Sequence, residues 1–286
     1  MTDLIQPQKC QDLIYDVGMH QGEDTDFYLK KGFRVIAFEA EPDLVATCQK
    51  RFEVEIESGL LTIVEGAIVD FLTDKKPPSS IRFFKNKDND VWGTVMDEWA
   101  ARNERSGTSN EVIDVSTVNF STCLQQYGIP HYLKVDIEGM DIICLKALLP
   151  FDEKPDYISI ESDKLSFQKL ENELDLFVRL GFTAFKAINQ AKIAYQKEPL
   201  VSHEGYRVGY EFLDGSSGLF GSDLPELWMP YALILKRYRS IFRVYEWFGD
   251  FGRIKKCYAG RVFLKALKKF SKKPIPGWYD THAKRV

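Results

Sequence analysis

DLIYDVGMHQGEDTDFYLKKGFRVIAFEAE, residues 12–41, reads as strand, glycine turn, helix, strand and acid. DLIYDVG is the apolar run of a buried strand that stops on a glycine, and RVIAF is a second such run. Between them, residues 22–31 form a short helix by their pattern, with acids in the first turn and lysines in the last, the order that the helix dipole favours. Two parallel strands joined through a helix of this length make a right-handed βαβ unit. Gly18 and Gly22 bracket a turn whose backbone can lie against a ligand. Glu39, about 20 residues further on at the end of the second strand, can accept hydrogen bonds from the two hydroxyls of a ribose. A tight turn that binds nothing would also carry the glycine pair, but not the two acids Asp16 and Glu39 beside it.

The glycine spacing selects among nucleoside cofactors. A dinucleotide needs G-x-G-x-x-G so that its pyrophosphate can approach the helix N-terminus, whereas this turn is D-x-G-x-x-x-G with His20 in the place of the second glycine. S-adenosylmethionine has no phosphate and carries an amino-acid end and a sulfonium cation, which Asp16 at the strand's end suits.

The composition is that of a globular α/β chain. With 286 residues, 44% of them hydrophobic, there is enough material for one large domain with a core. No apolar run approaches the roughly 18 residues of a membrane span, and MTDLIQPQKC lacks a signal-peptide pattern, so a cytoplasmic protein is expected. Cys10, Cys48, Cys123, Cys144 and Cys257 are odd in number and form no C-x-x-C, as reduced thiols would. The four histidines are scattered without ligand spacing, and no metal site is expected.

Charge is bipolar: residues 236–286 carry +12 and the first 235 residues −16. In that tail SIFRVYEWFGDF and YAGRVFLKALKKF place apolar residues at helical spacing among basic ones. Amphipathic helices packed on the acidic body or on a second subunit fit the pattern, and so does a peripheral contact with an anionic membrane or glycan surface. Nucleic acid is not expected, because the body is acidic and carries no recognised nucleic-acid motif. The domain reading is therefore a body over 1–235, interrupted by an insertion at about 73–110, and a basic amphipathic helical extension over 236–286.

The α/β alternation continues through the body. Residues 42–52 read as a helix with Pro42 in its first turn, and LLTIVEGAIV as a third strand leading to a short extra one. The insertion reads as a hairpin excursion with a loop around ARNERSGTSNE, EVIDVSTVNF as another strand and STCLQQYG as a helix. HYLKVDIEGMDIICLKALL is a buried strand that ends in acids, followed by a helix opened by Gly139. Asp136 and Glu138 thus fall at the carboxyl edge of the sheet, where ligands bind in open α/β folds. One would face the ligand while the other caps the helix or pairs with Lys134. DYISIESDK repeats the pattern with Glu161 and Asp163, and GYRVGYEFLDGSSGLFGSDLPELWMPY reads as a strand, a turn and an aromatic wall of Phe220, Trp228 and Tyr231.

DVGMHQGEDT, VIAFEAEPD, VEGAIVD and YLKVDIEGMD, in this order, resemble the FkbM-type S-adenosylmethionine-dependent methyltransferases, with KVDIEGMD the most specific match. The resemblance covers roughly residues 10–230. It implies a Rossmann-like methyltransferase fold: a seven-stranded, mostly parallel sheet with its last strand antiparallel and helices on both faces. It also implies O-methylation of a hydroxyl on a sugar, glycolipid or other small acceptor. Carried over by position, Asp16, Gly18, His20 and Gly22 form the methionine-end loop, Glu39 meets the ribose, Ala67 lies near the adenine and Asp136 closes the site. His20 stands where members commonly have Asn, and FEAEPD carries Ala40 and Glu41 where F-E-P is commoner. A sugar hydroxyl is a poor nucleophile, so a base that takes its proton is expected, with Asp136 first and Glu138, Asp163 and His203 after it. The alternative is a non-catalytic scaffold that keeps the fold and docks through its basic tail, and a homo-oligomer is an open expectation.

Overall fold

The computed structural model describes residues 6–71, 77–88, 92–105, 107–137, 139–213, 215–248, 254 and 278–285. The opening run folds as its pattern requires. β1 (Lys9–Val17) leads through the glycine turn into α1 (Glu23–Lys30) and then β2 (Arg34–Glu39). α2 (Pro42–Arg51), with Pro at its start, and the single turn α3 (Glu53–Glu57) lead to β3 (Leu61–Glu65). The strands lie parallel, with β1 beside β2 and β2 beside β3.

After the short β4 (Ala67–Ile68), the insertion forms a sheet of its own. β5 (Ser80–Asn86) pairs antiparallel with β6 (Asn110–Val118), and β4 joins the other edge of β6 in parallel. The hairpin holds a helix, α4 (Asp97–Arg105), so the first half of ARNERSGTSNE is helical rather than loop. α5 (Phe120–Tyr127), capped by the Asn119 side chain, returns the chain to β7 (Ile129–Val135).

β7 lies against the far side of β1, so the strand order reverses between them. Their register sets Asp16 beside Lys134 and Val17 beside Val135, which brings the ends of DVG and KVD together at the carboxyl edge. This is the switch point at which open α/β sheets bind ligands. α6 (Asp141–Ala147), β8 (Tyr157–Glu161), α7 (Phe167–Arg179) and β9 (Ala184–Asn189) follow. The two-residue β10 (Met229–Pro230) and α8 (Tyr231–Phe248) come next, and β11 (Tyr279–Lys284) closes the described chain.

The main sheet has eight strands in the order β10-β9-β11-β8-β7-β1-β2-β3, one more than expected because of the short β10. The last strand is antiparallel, as the family resemblance implies, but it comes from the basic tail. β11 inserts between β8 and β9 and pairs antiparallel with both. Residues 279–284 therefore belong to the body rather than to an extension beginning at 236. α8 begins the tail and also packs on the body, burying Ile234, Tyr238 and Ile241; most of the basic segment that follows, with Cys257, lies outside the described residues.

Strand residues alternate between two cores. Leu13, Tyr15, Ile36, Leu133 and Ile158 face one, built with α5 to α8, and Ile14, Val35, Tyr132 and Tyr157 face the other, built with α1 and α2. The second core is closed by residues 193–224. GYRVGYEF is not a strand there: Glu198 accepts the backbone N–H groups of Val208 and Tyr210, so these are satisfied without a sheet. The buried Lys31 ammonium fastens this segment to α1 through Glu198 and Asp223, each at 3.1 Å, and Ser202 at 2.9 Å. Phe220, expected in a wall facing a ligand, is buried and stacked on Tyr132 at 4.6 Å. Trp228 is half-buried against Tyr157, and Tyr231 starts α8.

Candidate active site

The turn after β1 is shaped by backbone demands. Gly18 has φ 85°, and a β-carbon there would fall on the peptide oxygen of Asp136, so only glycine lets the two strand ends approach this closely. The Gly18 and Met19 N–H groups both donate to the Phe38 carbonyl, at 3.0 and 2.9 Å. His20, also in the left-handed region with φ 53°, is held by its N–H to Glu39 Oε2 (2.9 Å) and by its ring Nδ1 against Glu23 Oε1 (3.1 Å). Gly22 N-caps α1 and packs against the Phe52 ring.

A pocket opens over this turn, lined by Gly18, His20, Glu39, Ala67 and Asp136 together with residues that the motif reading did not single out as ligand contacts. Glu39 receives the N–H groups of Ala40 and Glu41 on one oxygen and that of His20 on the other. Three donors occupy three of about four lone-pair sites, so the carboxylate can still accept from a ligand hydroxyl. Burial raises its pKa in spite of these donors.

Asp16 lies behind the pocket rather than in it. It is fully buried, accepts a 2.6 Å bond from Thr25 Oγ1 and pairs with Lys134 Nζ at 3.0 Å. Lys134 is the residue that reaches the lining, with Nζ donating to the Gly18 carbonyl at 2.7 Å and standing 3.7 Å from Asp24 Oδ2. Burial alone would push this ammonium down, but Asp16, Asp24 and Asp136 together hold it above its ordinary value. Asp24, read from the sequence only as a first-turn acid, is buried, lines the pocket and accepts the Ser217 N–H at 2.8 Å. Desolvation raises it to about 6. Its contact brings Gly215 over the pocket mouth. Glu23 completes this polar end; burial opposes its ionisation, but the His20 ring holds its pKa below the usual carboxylate value.

The opposite end is apolar: Leu44, Ala67, Ile68 and Phe83, with Val95 packed against Ala67 and Phe83, and Met140 also lines the pocket. The insertion hairpin supplies Phe83 and Val95, so it forms one wall of the site.

A second cavity of about 800 Å³ lies on the other side of the stretch between β7 and α6. Ile137 and Met140 face the first pocket, whereas Gly139, Asp141 and Ile142 face the second; Val95 and Met96 divide in the same way. Asp163 lines this second cavity, where its side chain accepts the Leu165 and Ser166 N–H groups just ahead of α7, whose cap is Ser166. His203 lines neither cavity; it is exposed on the 193–224 segment, with its N–H bound to Asp223. Glu138 lies outside the described residues.

A sequence profile described as the methyltransferase FkbM domain matches residues 16–191. The chain belongs to the FkbM methyltransferase family. FkbM-type methyltransferases take S-adenosylmethionine as methyl donor, and the pocket fits it: an apolar end for an adenine, the Glu39 carboxylate for a ribose diol, and paired charges for an amino acid. No curated protein gives a significant sequence match. Among solved structures, the chain is similar to the FkbM methyltransferase of Methylobacillus flagellatus KT, with 16% identity and a TM-score of 0.39 over 63% of this chain and 40% of that one. It is also similar to phosphoethanolamine N-methyltransferase 2 of Haemonchus contortus in complex with S-adenosyl-L-methionine, with 10% identity and a TM-score of 0.37 over 98% of this chain and 50% of that one. The precorrin-8w decarboxylase of Methanobacterium thermoautotrophicum matches with 14% identity and a TM-score of 0.35, over 72% of this chain and 79% of that one.

Proposed function

We propose that this FkbM-family protein methylates a hydroxyl of a sugar, glycolipid or related small molecule. The observation that carries the reading is the pair of cavities flanking the stretch between β7 and α6, one lined by Glu39, Lys134 and Asp136 and the other, of about 800 Å³, by Gly139 and Asp141.

S-adenosylmethionine would supply an electrophilic methyl group on a sulfonium. The chain's own residues would do the rest. Glu39 accepts from the ribose hydroxyls, Lys134 faces the amino-acid carboxylate, and Asp24 with Glu23 faces its ammonium. Met140 keeps water from the reacting centre, and an acceptor held in line there supplies much of the acceleration in a displacement of this kind. The acceptor oxygen would bond to the methyl carbon as the carbon–sulfur bond breaks, its electron pair staying on sulfur so that S-adenosylhomocysteine leaves, while the acceptor's proton passes to the Asp136 carboxylate.

Calorimetry with S-adenosylmethionine, followed by methyl-transfer assays on nucleotide sugars, glycolipids and natural-product alcohols, tests this. Micromolar cofactor binding and a methyl ether product are expected. No binding at high micromolar cofactor would favour a scaffold that has kept only the fold.

A further inference from the structure

We propose that the protein docks peripherally on an anionic lipid bilayer through the outer face of α8, a surface that adjoins the second cavity. The docking does not depend on the methyltransferase reading. What it adds to that reading is an acceptor held in the same bilayer, which is the glycolipid among the proposed acceptors.

α8 presents two surfaces. Ile234, Tyr238 and Ile241 are buried against the body, and helical spacing sets Lys236, Arg243 and Trp247 on the opposite side, with Leu233, Arg237 and Val244 along one flank. Lys236, Arg237, Arg239 and Arg243 are all exposed, against the single acid Glu246. Leu233 is 52% exposed, Val244 41% and Trp247 49%. Basic side chains interleaved with a tryptophan and aliphatic residues on one helix face suit the headgroup zone of a bilayer, which takes the cations at its phosphates and the apolar groups just beneath them. A nucleic-acid backbone would answer the charges and leave Leu233 and Val244 in water.

Charge complementarity gives the occupant. The first 235 residues carry −16, so an anionic surface repels the body and attracts the end that begins with α8. Between Phe248 and Trp278 the sequence adds nine Lys or Arg and one acid, and the fold holds both ends of that stretch at the carboxyl edge of the sheet. α8 starts beside the amino end of β9, where Pro230 pairs with Ala184, and runs to the carboxyl edge, where Phe242 meets Phe167 at the start of α7 with ring centroids 5.3 Å apart. β11 begins at the same edge, with Tyr279 opposite Asn189 and the Trp278 carbonyl accepting the Gln190 N–H at 3.1 Å. Lys164, which lines the second cavity, holds its ammonium 5.8 Å over the half-exposed Trp278 ring. The last turns of α8, the start of β11 and the second cavity thus share one edge, and an acceptor carried in the bilayer would reach the cavity without leaving the surface.

Co-sedimentation of the full chain with vesicles of phosphatidylcholine, alone or mixed with phosphatidylglycerol, tests the docking. Binding to the mixed vesicles should be at least about tenfold tighter than to the neutral ones and should weaken as salt rises. Lys236→Glu combined with Arg243→Glu should weaken it about tenfold or more, and Leu233→Ser combined with Val244→Ser should weaken it without changing its salt dependence. All four side chains are exposed, so both pairs should keep the parent's melting temperature, and Lys50→Glu on the exposed side of α2 should leave vesicle binding as it was. Equal binding to both kinds of vesicle, binding to neither, or indifference to both pairs of substitutions would overturn the proposal. So would a single-stranded oligonucleotide that binds more tightly than the mixed vesicles and is lost with the same charges. Calorimetry with S-adenosylhomocysteine, run in parallel, separates the two readings: vesicle binding without any binding of S-adenosylhomocysteine would sink the methyltransferase reading and leave the docking face standing.

Discussion

The Lys134 ammonium donates a 2.7 Å hydrogen bond to the carbonyl oxygen of Gly18, tying the end of β7 to the turn that follows β1. The same nitrogen stands 3.0 Å from Asp16 and 3.7 Å from Asp24, both buried. Removing the cation leaves these two buried carboxylates with only the neutral donors Thr25 and Ser217. Lys134→Met is expected to destabilise the protein by about 3 kcal/mol or more and to weaken binding of S-adenosylhomocysteine, because the turn loses its anchor. Urea denaturation and calorimetry check both; an unchanged midpoint would mean that water reaches these charges.

Gly18 and Gly59 separate two costs of a side chain at positive φ. Both are left-handed, at 85° and 76°, but a β-carbon on Gly59 meets nothing within 4 Å, whereas on Gly18 it strikes the Asp136 peptide. Gly59→Ala should cost only the backbone penalty, about 1–2 kcal/mol. Gly18→Ala should cost clearly more and abolish cofactor binding, because β1 and β7 must move apart at the switch point. Thermal melts of the two variants side by side, with S-adenosylhomocysteine titrations, decide it.

Stability should fall as the solution passes from mildly acidic to mildly alkaline. Asp24 is raised to about 6, Asp141 to about 7 and Glu173 to about 8 in the folded protein. Between each unfolded value and each folded value the native state therefore binds more protons than the unfolded one, and stability drops as pH rises through that window. His131 acts in the same sense. Burial opposes its charge, but Asp156 at 2.8 Å and Glu204 at 2.7 Å raise it to about 9, so its contribution is complete below its ordinary value of 6.5 and lost as pH climbs through about 9. Melting temperatures from pH 5 to 9 should decline, and Asp141→Asn, which removes one buried charge, should melt higher than the parent at pH 8 and flatten the curve. A parent curve that rises over this range would contradict the assignment.

What could be read from the sequence follows the range of the interactions. The βαβ unit, the strand ends at Gly18 and Asp136, and the family were all legible, because apolar periodicity and short motifs are local. The partnership of Asp16, Asp24 and Lys134 was not, since it depends on β7 lying beside β1, more than a hundred residues away in the chain. Asp16 therefore looked like a ligand contact, although the fold spends it on Lys134. β11 was hidden for another reason. YDTHAK is polar and sits in a basic tail, yet it is buried between β8 and β9, with Thr281 hydrogen-bonded to Ser162 and His282 pushed down to about 3 by burial. Residues 206–212 misled in the opposite way: YRVGYEF has a strand's composition, but the Glu198 carboxylate takes the hydrogen bonds that a neighbouring strand would have made.

Asp136 is the carboxylate whose substitution should separate binding from chemistry. It is exposed at the mouth of the cofactor pocket, its backbone N–H is fixed by the Val17 carbonyl at 2.9 Å, and its peptide packs on Gly18. The position is therefore set by backbone, and changing the side chain should not disturb the turn. Asp136→Asn preserves the shape and removes the proton acceptor. With an acceptor found by the panel assays, kcat should fall by roughly a hundredfold to ten-thousandfold, while S-adenosylhomocysteine affinity and the melting temperature hold. Loss of affinity in step with kcat would make Asp136 a cofactor-positioning residue, and full retention of kcat would move the proton's destination to another carboxylate on the loop's far side.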